Sequence, residues 1–314
     1  MVQNTPVAML VFNRSAKTRR VLEAVAAARP PQLLVVADGP RPDRPEDERA
    51  CAETRALFER LPWSCDVQTD FADVNLGCRQ RILSGLDWVF SQVPEAIVLE
   101  DDCLPEPSFF LFCEEMLQRY RDDERVHLVR GGHFRGGRRL GDRSYHFSRW
   151  YHTWGWATWA RAWGHTDHEM RRWPELRETD WLSERLPLPA MVDIAEGHFD
   201  EAYHHRVTTW EYHFSFGGWQ RDALAVCPQQ NLVTNIGFDL DGSHYTEPDH
   251  PHALLPTAPM RFPLRHPSEV AVDTRSDMIE WSLLHPRLAP RSPIRRAASR
   301  LQQALARLAG RAAA

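Results

Sequence analysis

Four short apolar runs, Val7 to Phe12, Leu33 to Ala37, Ala96 to Leu99 and Val126 to Val129, are separated by stretches with helical periodicity. No other feature restricts the fold as much. Strands buried on both faces read as unbroken Val, Leu and Ile runs, and alternating them with helices builds a parallel sheet covered on both sides. The expected fold class is α/β, a Rossmann-like, mostly parallel central sheet flanked by helices. One helix is expected from about Leu76 to Val93, with Ile82, Leu86, Val89 and Val93 on one face. Others are expected between Ser15 and Ala28 and after Pro107, a residue suited to a first helical turn. In such sheets ligands lie outside the carboxyl ends of the strands, where Asn13-Arg14, Asp38-Gly39 and Glu100-Asp101-Asp102 fall.

The acidic triplet is the main chemical handle. Carboxylates packed this closely repel one another unless water, basic side chains or a metal compensates. Hard divalent ions such as Mn²⁺ or Mg²⁺ take oxygen ligands and commonly bind through one or two carboxylates plus substrate phosphates. A nucleoside-diphosphate ligand follows from that preference, and a solvated acidic strand end is the alternative.

Composition narrows the remaining classes. The formal net charge is −5, yet no acid follows Glu280 while seven arginines accumulate from Arg287 to Arg311, so the body is more acidic than the total indicates. An acidic body argues against nucleic acid as a partner. The six cysteines form no CxxC pair or zinc-site spacing, which fits a reducing compartment. With no charged and apolar leader before Val7 and no long apolar span, the expected location is cytoplasmic. From Ser292 onward, Ile294, Ala298, Leu301, Leu305 and Leu308 make a stripe opposite arginines. Such a basic amphipathic helix suits an anionic inner membrane face, where contact would be peripheral, or the protein's own acidic body.

Seven of the twelve tryptophans lie between Trp150 and Trp181, a density that points to core packing with one or two left for a sugar-binding wall. Gly155 to Trp163 is expected to begin a short helix or a loop over the site. There is no GxGxxG after the first strand, no GxxxxGK[ST] loop and no GxSxG elbow, which removes the simplest dinucleotide, P-loop and hydrolase readings.

Ala96-Ile97-Val98-Leu99-Glu100-Asp101-Asp102, continuing to Pro105 and Phe109-Phe110, resembles the strand-to-loop signature of GT-A glycosyltransferases. The likeness is to the inverting N-acetylglucosaminyltransferase I group and to bacterial family-2-like transferases. Pro6 to Arg14, Ala37-Asp38-Gly39, Gly155-Trp156 and Trp210-Glu211 follow in matching order, over roughly residues 6 to 245. The resemblance implies a GT-A domain over residues 1–265, with a donor half at 1–104 and an acceptor half at 105–265, then a C-terminal extension at 266–314. It implies that Asp102 holds Mn²⁺ or Mg²⁺, helped by His244, and that Glu100 and Asp101 take ribose or sugar hydroxyls. Asp38 would meet the base, and Asn13, Arg14, Asn75 and Arg79 would serve the nucleotide and its diphosphate. Trp154, Gly155, Trp156 and Trp210 would wall the sugar or acceptor, and Glu211 would be the catalytic base.

The function so implied is metal-dependent, inverting transfer of a sugar from a nucleotide-diphosphate donor, a UDP-sugar by expectation, to a saccharide or lipid-linked glycan hydroxyl, as in polysaccharide biosynthesis. Two alternatives stay open: a nucleotidyltransferase that makes the sugar nucleotide, and a saccharide-binding protein without catalysis.

Overall fold

Each of the four apolar runs is a strand in the computed structural model, which describes residues 4–238, 255–286 and 288. His244 and the arginine-rich tail from Ser292 lie outside the described residues. The first half contains β1 (Val7–Val11), α1 (Ser15–Ala28), β2 (Gln32–Ala37), α2 (Glu46–Ala56), β3 (Asp66–Phe71), α3 (Cys78–Gln92), β4 (Glu95–Glu100), β5 (Cys103–Pro105) and α4 (Ser108–Arg119). The second half contains β6 (Val126–Arg130), β7 (Tyr145–Ser148), β8 (Trp156–Trp159), α5 (Ala160–Trp163), α6 (Trp173–Arg177), α7 (Pro189–Tyr203), α8 (Glu211–Trp219), β9 (Leu224–Pro228), β10 (Val233–Asn235) and α9 (Thr274–Leu284).

Among the described residues, one sheet runs β3-β2-β1-β4-β8-β6-β9-β7, and β10 pairs with β5 in a small ribbon. Four of the seven pairings in the large sheet are parallel, so it is mostly parallel as expected. The antiparallel pairings all involve β8 or β7, in the second half. Both faces are covered. Val7, Met9, Val11, Ile97 and Leu99 point into one core with α1 and α4, while Ala8, Leu10, Ala96 and Val98 point into the other with α3 and α8. Burying each such Val, Leu or Ile side chain contributes about 1.5–3 kcal/mol, which is why these strands carry no polar alternation.

The helices form where apolar residues share a face. In α1, Thr18, Val21, Leu22 and Val25 are the buried residues, and the helix ends at Arg29 in a left-handed conformation. Residues 155–163 differ from expectation, because strand β8 enters the centre of the sheet before the single turn of α5. All four β8 residues are buried, with Trp156 packed into one core and Trp159 into the other. Aromatic side chains on both faces suit a central strand more than a surface loop.

The first part of the C-terminal extension belongs to the body. Asp273 caps α9 by accepting from the backbone N–H of Ser276, and Glu280 is buried against Arg130, with Oε1 2.9 Å from Nη2. Among the described residues, the six cysteines are free and no helix is long and apolar enough to cross a membrane.

Candidate active site

In the order β3-β2-β1-β4 the chain leaves β1 toward β2 on one side while β4 lies on the other. Loops that part in this way open a crevice at the carboxyl ends of the two strands. Asp101 ties the loops together: its N–H donates to Leu10 O at 3.1 Å, and its Oδ2 accepts from the Phe12 N–H at 3.4 Å. Arg14 then bridges the acids, with Nη2 2.9 Å from Asp101 Oδ1 and Nη1 3.0 Å from Asp102 Oδ2. The guanidinium expected to meet a diphosphate is thus engaged first by the strand-end carboxylates.

Two adjoining cavities open here, of about 230 and about 210 Å³, and both are lined by Arg14, Cys78 and Glu100. The first holds Asp102, Trp154, Trp210, Glu211 and Asn235. The second has an apolar side formed by Leu10, Val36 and Ile82 and a polar side that includes Asp38, Asn75 and Asp101. Together they offer a polar, acidic chamber beside a slot with one apolar side.

Charge in the chamber is unbalanced. Burial, followed by the charges of Asp102, Glu211 and Asp101, holds the Glu100 carboxyl well above the ordinary carboxylate range. Burial also lifts Asp101 to about 6, although Arg14 opposes it. Burial alone would lower the Arg14 guanidinium, but Asp101, Asp102 and Glu100 outweigh it and keep the cation charged. Burial, together with Glu100 and Glu211, pushes the Cys78 thiol up to about 12, so this side chain lines the cavity as a neutral thiol and not as a nucleophile.

Glu211 is the first residue of α8, and its carboxylate accepts a hydrogen bond from the Thr153 hydroxyl. A negative side chain at this helix end is favoured by the macrodipole. Trp210 stacks on Trp156 with ring centroids 5.5 Å apart and still lines the chamber, and Trp154 lines it while meeting Phe134 edge-on at 5.1 Å.

Asp38 has a different setting from the one expected. Its carboxylate accepts from the N–H groups of Gly39, Leu76 and Gly77 and from Asn75 Nδ2, so it fastens the turn that opens α3. Gly39 is required there, because a Cβ would collide with the Val74 backbone. The amino end of α3, at Gly77 and Cys78, nevertheless faces the slot, and such a helix end favours an anion.

Several expected residues lie elsewhere. Trp156 is fully buried core and forms no wall of either cavity, because β8 carries it into the sheet. Gly155 is at φ 62° and its carbonyl accepts from the Gly131 N–H, so it turns the chain into β8. Asn13 donates to Asp47 at 2.7 Å, and Arg79 reaches the exposed His205. Neither Asn13 nor Arg79 lines the two cavities. Burial lowers His213 to about 4, so it is a neutral core imidazole.

Asn235 and Gly237 were not foreseen. Pairing of β10 with β5 brings Asn235 beside Asp102, to whose Oδ1 it donates at 3.4 Å, and a Cβ at Gly237 would collide with Asp102 Oδ2. Their only sequence signal is a small polar turn after an apolar run, which is too common to single out.

Among the described residues no three His, Cys, Asp or Glu side chains are grouped as an all-protein metal cage requires. The donor set fits a different kind of site. Glu100, Asp102 and Glu211 line the chamber with Arg14 as the one arginine on its wall, which suits an Mn²⁺ or Mg²⁺ ion completed by phosphate oxygens.

No family model and no curated protein matches the sequence. Similar solved structures include a cytidylyltransferase from Leptospira borgpetersenii serovar Hardjo-bovis, with a TM-score of 0.31 at 10% identity over 63% of this chain and 74% of that one. Another is a UDP-glucose pyrophosphorylase complexed with UDP-glucose, with a TM-score of 0.28 at 11% identity over 52% of this chain and 79% of that one. Likeness at this level carries no argument about this chain, whose fold and chemistry rest on its own geometry.

Proposed function

We propose that the chain is a GT-A-type glycosyltransferase that moves a sugar, with inversion, from a nucleoside-diphosphate donor such as a UDP-sugar to a saccharide or lipid-linked glycan hydroxyl. One observation carries the reading: a slot with an apolar side opens onto an acidic chamber that has Glu100 and Asp102 on its wall and Glu211 on a separate element. The slot suits a nucleoside, and the chamber suits the diphosphate, its cation and the donor sugar.

In this mechanism the acceptor O–H gives its proton to Glu211 as its oxygen bonds to the anomeric carbon. The bond from that carbon to the phosphate oxygen breaks, and its electron pair leaves with the nucleoside diphosphate. Thr153, donating to Glu211, orients the carboxylate. Asp102, with Glu100 beside it, would hold a divalent cation, which when bound supplies Lewis-acid stabilisation to the leaving diphosphate. Arg14, held between Asp101 and Asp102, is a fixed positive charge at the same strand ends. Trp154 supplies aromatic surface against the donor sugar, with the buried Trp210 packed behind the chamber wall.

Asp102→Asn is expected to abolish Mn²⁺-dependent binding of UDP-sugar, measured by thermal shift. Glu211→Gln is expected to keep that binding and lose about 10²–10⁴-fold in transfer, the usual contribution of a positioned base. The reverse pattern would refute the assignment. Release of pyrophosphate from a nucleoside triphosphate and sugar phosphate, in place of nucleoside diphosphate from a sugar nucleotide, would make the chain a nucleotidyltransferase.

A further inference from the structure

The loop between β6 and β7 emerges on the side of the sheet where the chamber opens. Strands β4 and β6 are both antiparallel to β8, so the carboxyl end of β6 lies on the same side as Glu100. Strand β9 runs parallel to β6, and Tyr145 at the start of β7 pairs with Pro228 at the end of β9, which keeps residues 131–144 on that side. A second segment packs beside the loop. The Ser144 N–H donates to Arg265 O at 2.8 Å, the Arg265 N–H donates to Ser144 Oγ at 2.9 Å, and the Ala258 N–H donates to Asn231 O at 3.0 Å, just past β9.

These two segments carry charge of one sign. Residues 138–143 and 261–265 hold five arginines and one acid, Asp142, although the chain as a whole has a formal charge of −5. Arg138, Arg139, Arg261 and Arg265 are exposed, and among the described residues no ion pair or hydrogen bond holds their guanidiniums. Arg143 donates to His266 O at 3.0 Å and lies 3.5 Å from Asp142. Cations gathered in this way repel one another, and an anionic partner removes that cost. Phe262 stands in the second segment between Arg261 and Arg265. It is 38% exposed, the one aromatic among the exposed large hydrophobic side chains of the described residues.

Buried polar contacts hold the base of the loop. Arg135 is fully buried and donates to Ser276 Oγ at 2.8 Å and to Gln229 Oε1 at 2.7 Å, and the same Gln229 oxygen accepts from the Leu140 N–H at 3.1 Å. Gly136, Gly137 and Gly141 turn the chain at φ 59°, 73° and 74°, a region that residues with a side chain rarely adopt. Arg138 and Arg139 are therefore presented from a fixed backbone, so less ordering entropy is lost when a partner binds.

We infer that this face rests on an anionic bilayer, with its arginines on lipid phosphates and Phe262 at the level of the headgroups. Each arginine held near an anionic leaflet adds attraction, and an aromatic ring among them adds apolar burial that the phosphate backbone of a nucleic acid does not reward. The face is separate from the arginine-rich tail. Because the acidic chamber opens on the same side of the sheet, docking brings it to the membrane surface, where a lipid-linked acceptor is held. That last step rests on the transferase reading above; the membrane contact does not.

The test sediments the full chain with vesicles of phosphatidylcholine alone and with vesicles of equal parts phosphatidylcholine and phosphatidylglycerol. Binding is expected to the mixed vesicles only, and it should be lost at about 1 M salt, where the screening length falls to ~3 Å. Replacing both Arg138 and Arg139 by Gln should weaken it about tenfold or more. Replacing Arg261 and Arg265 by Gln does the same from the second segment, and takes the place of the first variant if that one has lost its cooperative melt. No binding to the mixed vesicles overturns the inference. Equal binding by wild type and a folded double variant also overturns it, and assigns any attachment to the arginine-rich tail. UDP with Mn²⁺ is assayed separately by thermal shift. Vesicle binding without a UDP effect would leave this face standing and remove the donor reading, and a UDP effect without vesicle binding would do the opposite.

Discussion

Arg14→Met removes the cation that faces the strand-end acids while keeping an unbranched side chain of similar reach. The side chains of Arg14 and Asp101 are 17% and 2% exposed, so water cannot replace the lost partner of Asp101. Deleting one member of a buried pair costs about 3–5 kcal/mol, against about 0–1 kcal/mol for exposed pairs. The pH dependence identifies the cause. In the wild type, burial raises Asp101 from its ordinary value to about 6 with Arg14 opposing. A carboxyl raised on folding leaves stability intact below its unfolded pKa and takes stability away as pH climbs through the folded one. For Asp101 that loss is about 3 kcal/mol between about pH 4 and pH 6, at 1.36 kcal/mol per unit. Without Arg14 the folded pKa rises further, so the loss continues above pH 6. Urea unfolding followed by tryptophan fluorescence should therefore show a small penalty for Arg14→Met at pH 5 and the full penalty at pH 8. A penalty equal at both pH values, or below about 1 kcal/mol at pH 8, would refute the account of a buried, cation-dependent acid cluster.

Three further outcomes are expected. Gly237→Ala places a methyl against Asp102 Oδ2 and should weaken Mn²⁺-dependent UDP binding by tenfold or more in calorimetric titration, since the acid must turn aside. Trp156→Ala should lower stability by about 3–5 kcal/mol in urea unfolding because Trp156 is fully buried, whereas Trp154→Ala, at the chamber wall, should act mainly on the donor KM. Glu280→Ala should cost about 3–5 kcal/mol at neutral pH by leaving Arg130 buried without its anion, read as a lower urea midpoint. Burial would raise the Glu280 carboxyl, but Arg130 and His152 hold it far below the ordinary range, so its contribution is present at neutral pH and fades only in strong acid.

The first half of the molecule was readable because its signals are local. Val7 to Phe12, Leu33 to Ala37 and Ala96 to Leu99 are unbroken apolar runs, and strands buried on both faces have no other composition. Helix α1 occupies the predicted Ser15–Ala28, and the acids at 100–102 reach the carboxyl end of β4. Strand β8 was not readable, since Gly155-Trp156-Ala157-Thr158-Trp159 has the aromatic content of a strand, a loop or a sugar-binding wall, and only the open place between β4 and β6 selects the first.

The sequence by itself determined an α/β sheet with acids at the crevice, because hydrophobic period and strand ends are written within a few residues of chain. Tertiary structure decided how those acids are used. Arg14 turns onto Asp101 and Asp102, and Asp38 spends its oxygens on the Asn75 to Gly77 turn. Asn235 and Gly237 arrive beside Asp102 from more than a hundred residues away, and Glu280 of α9 pairs with Arg130 of β6. These are choices among partners of similar chemistry, and the packing of the two cores, which no local run encodes, sets which partner is within reach.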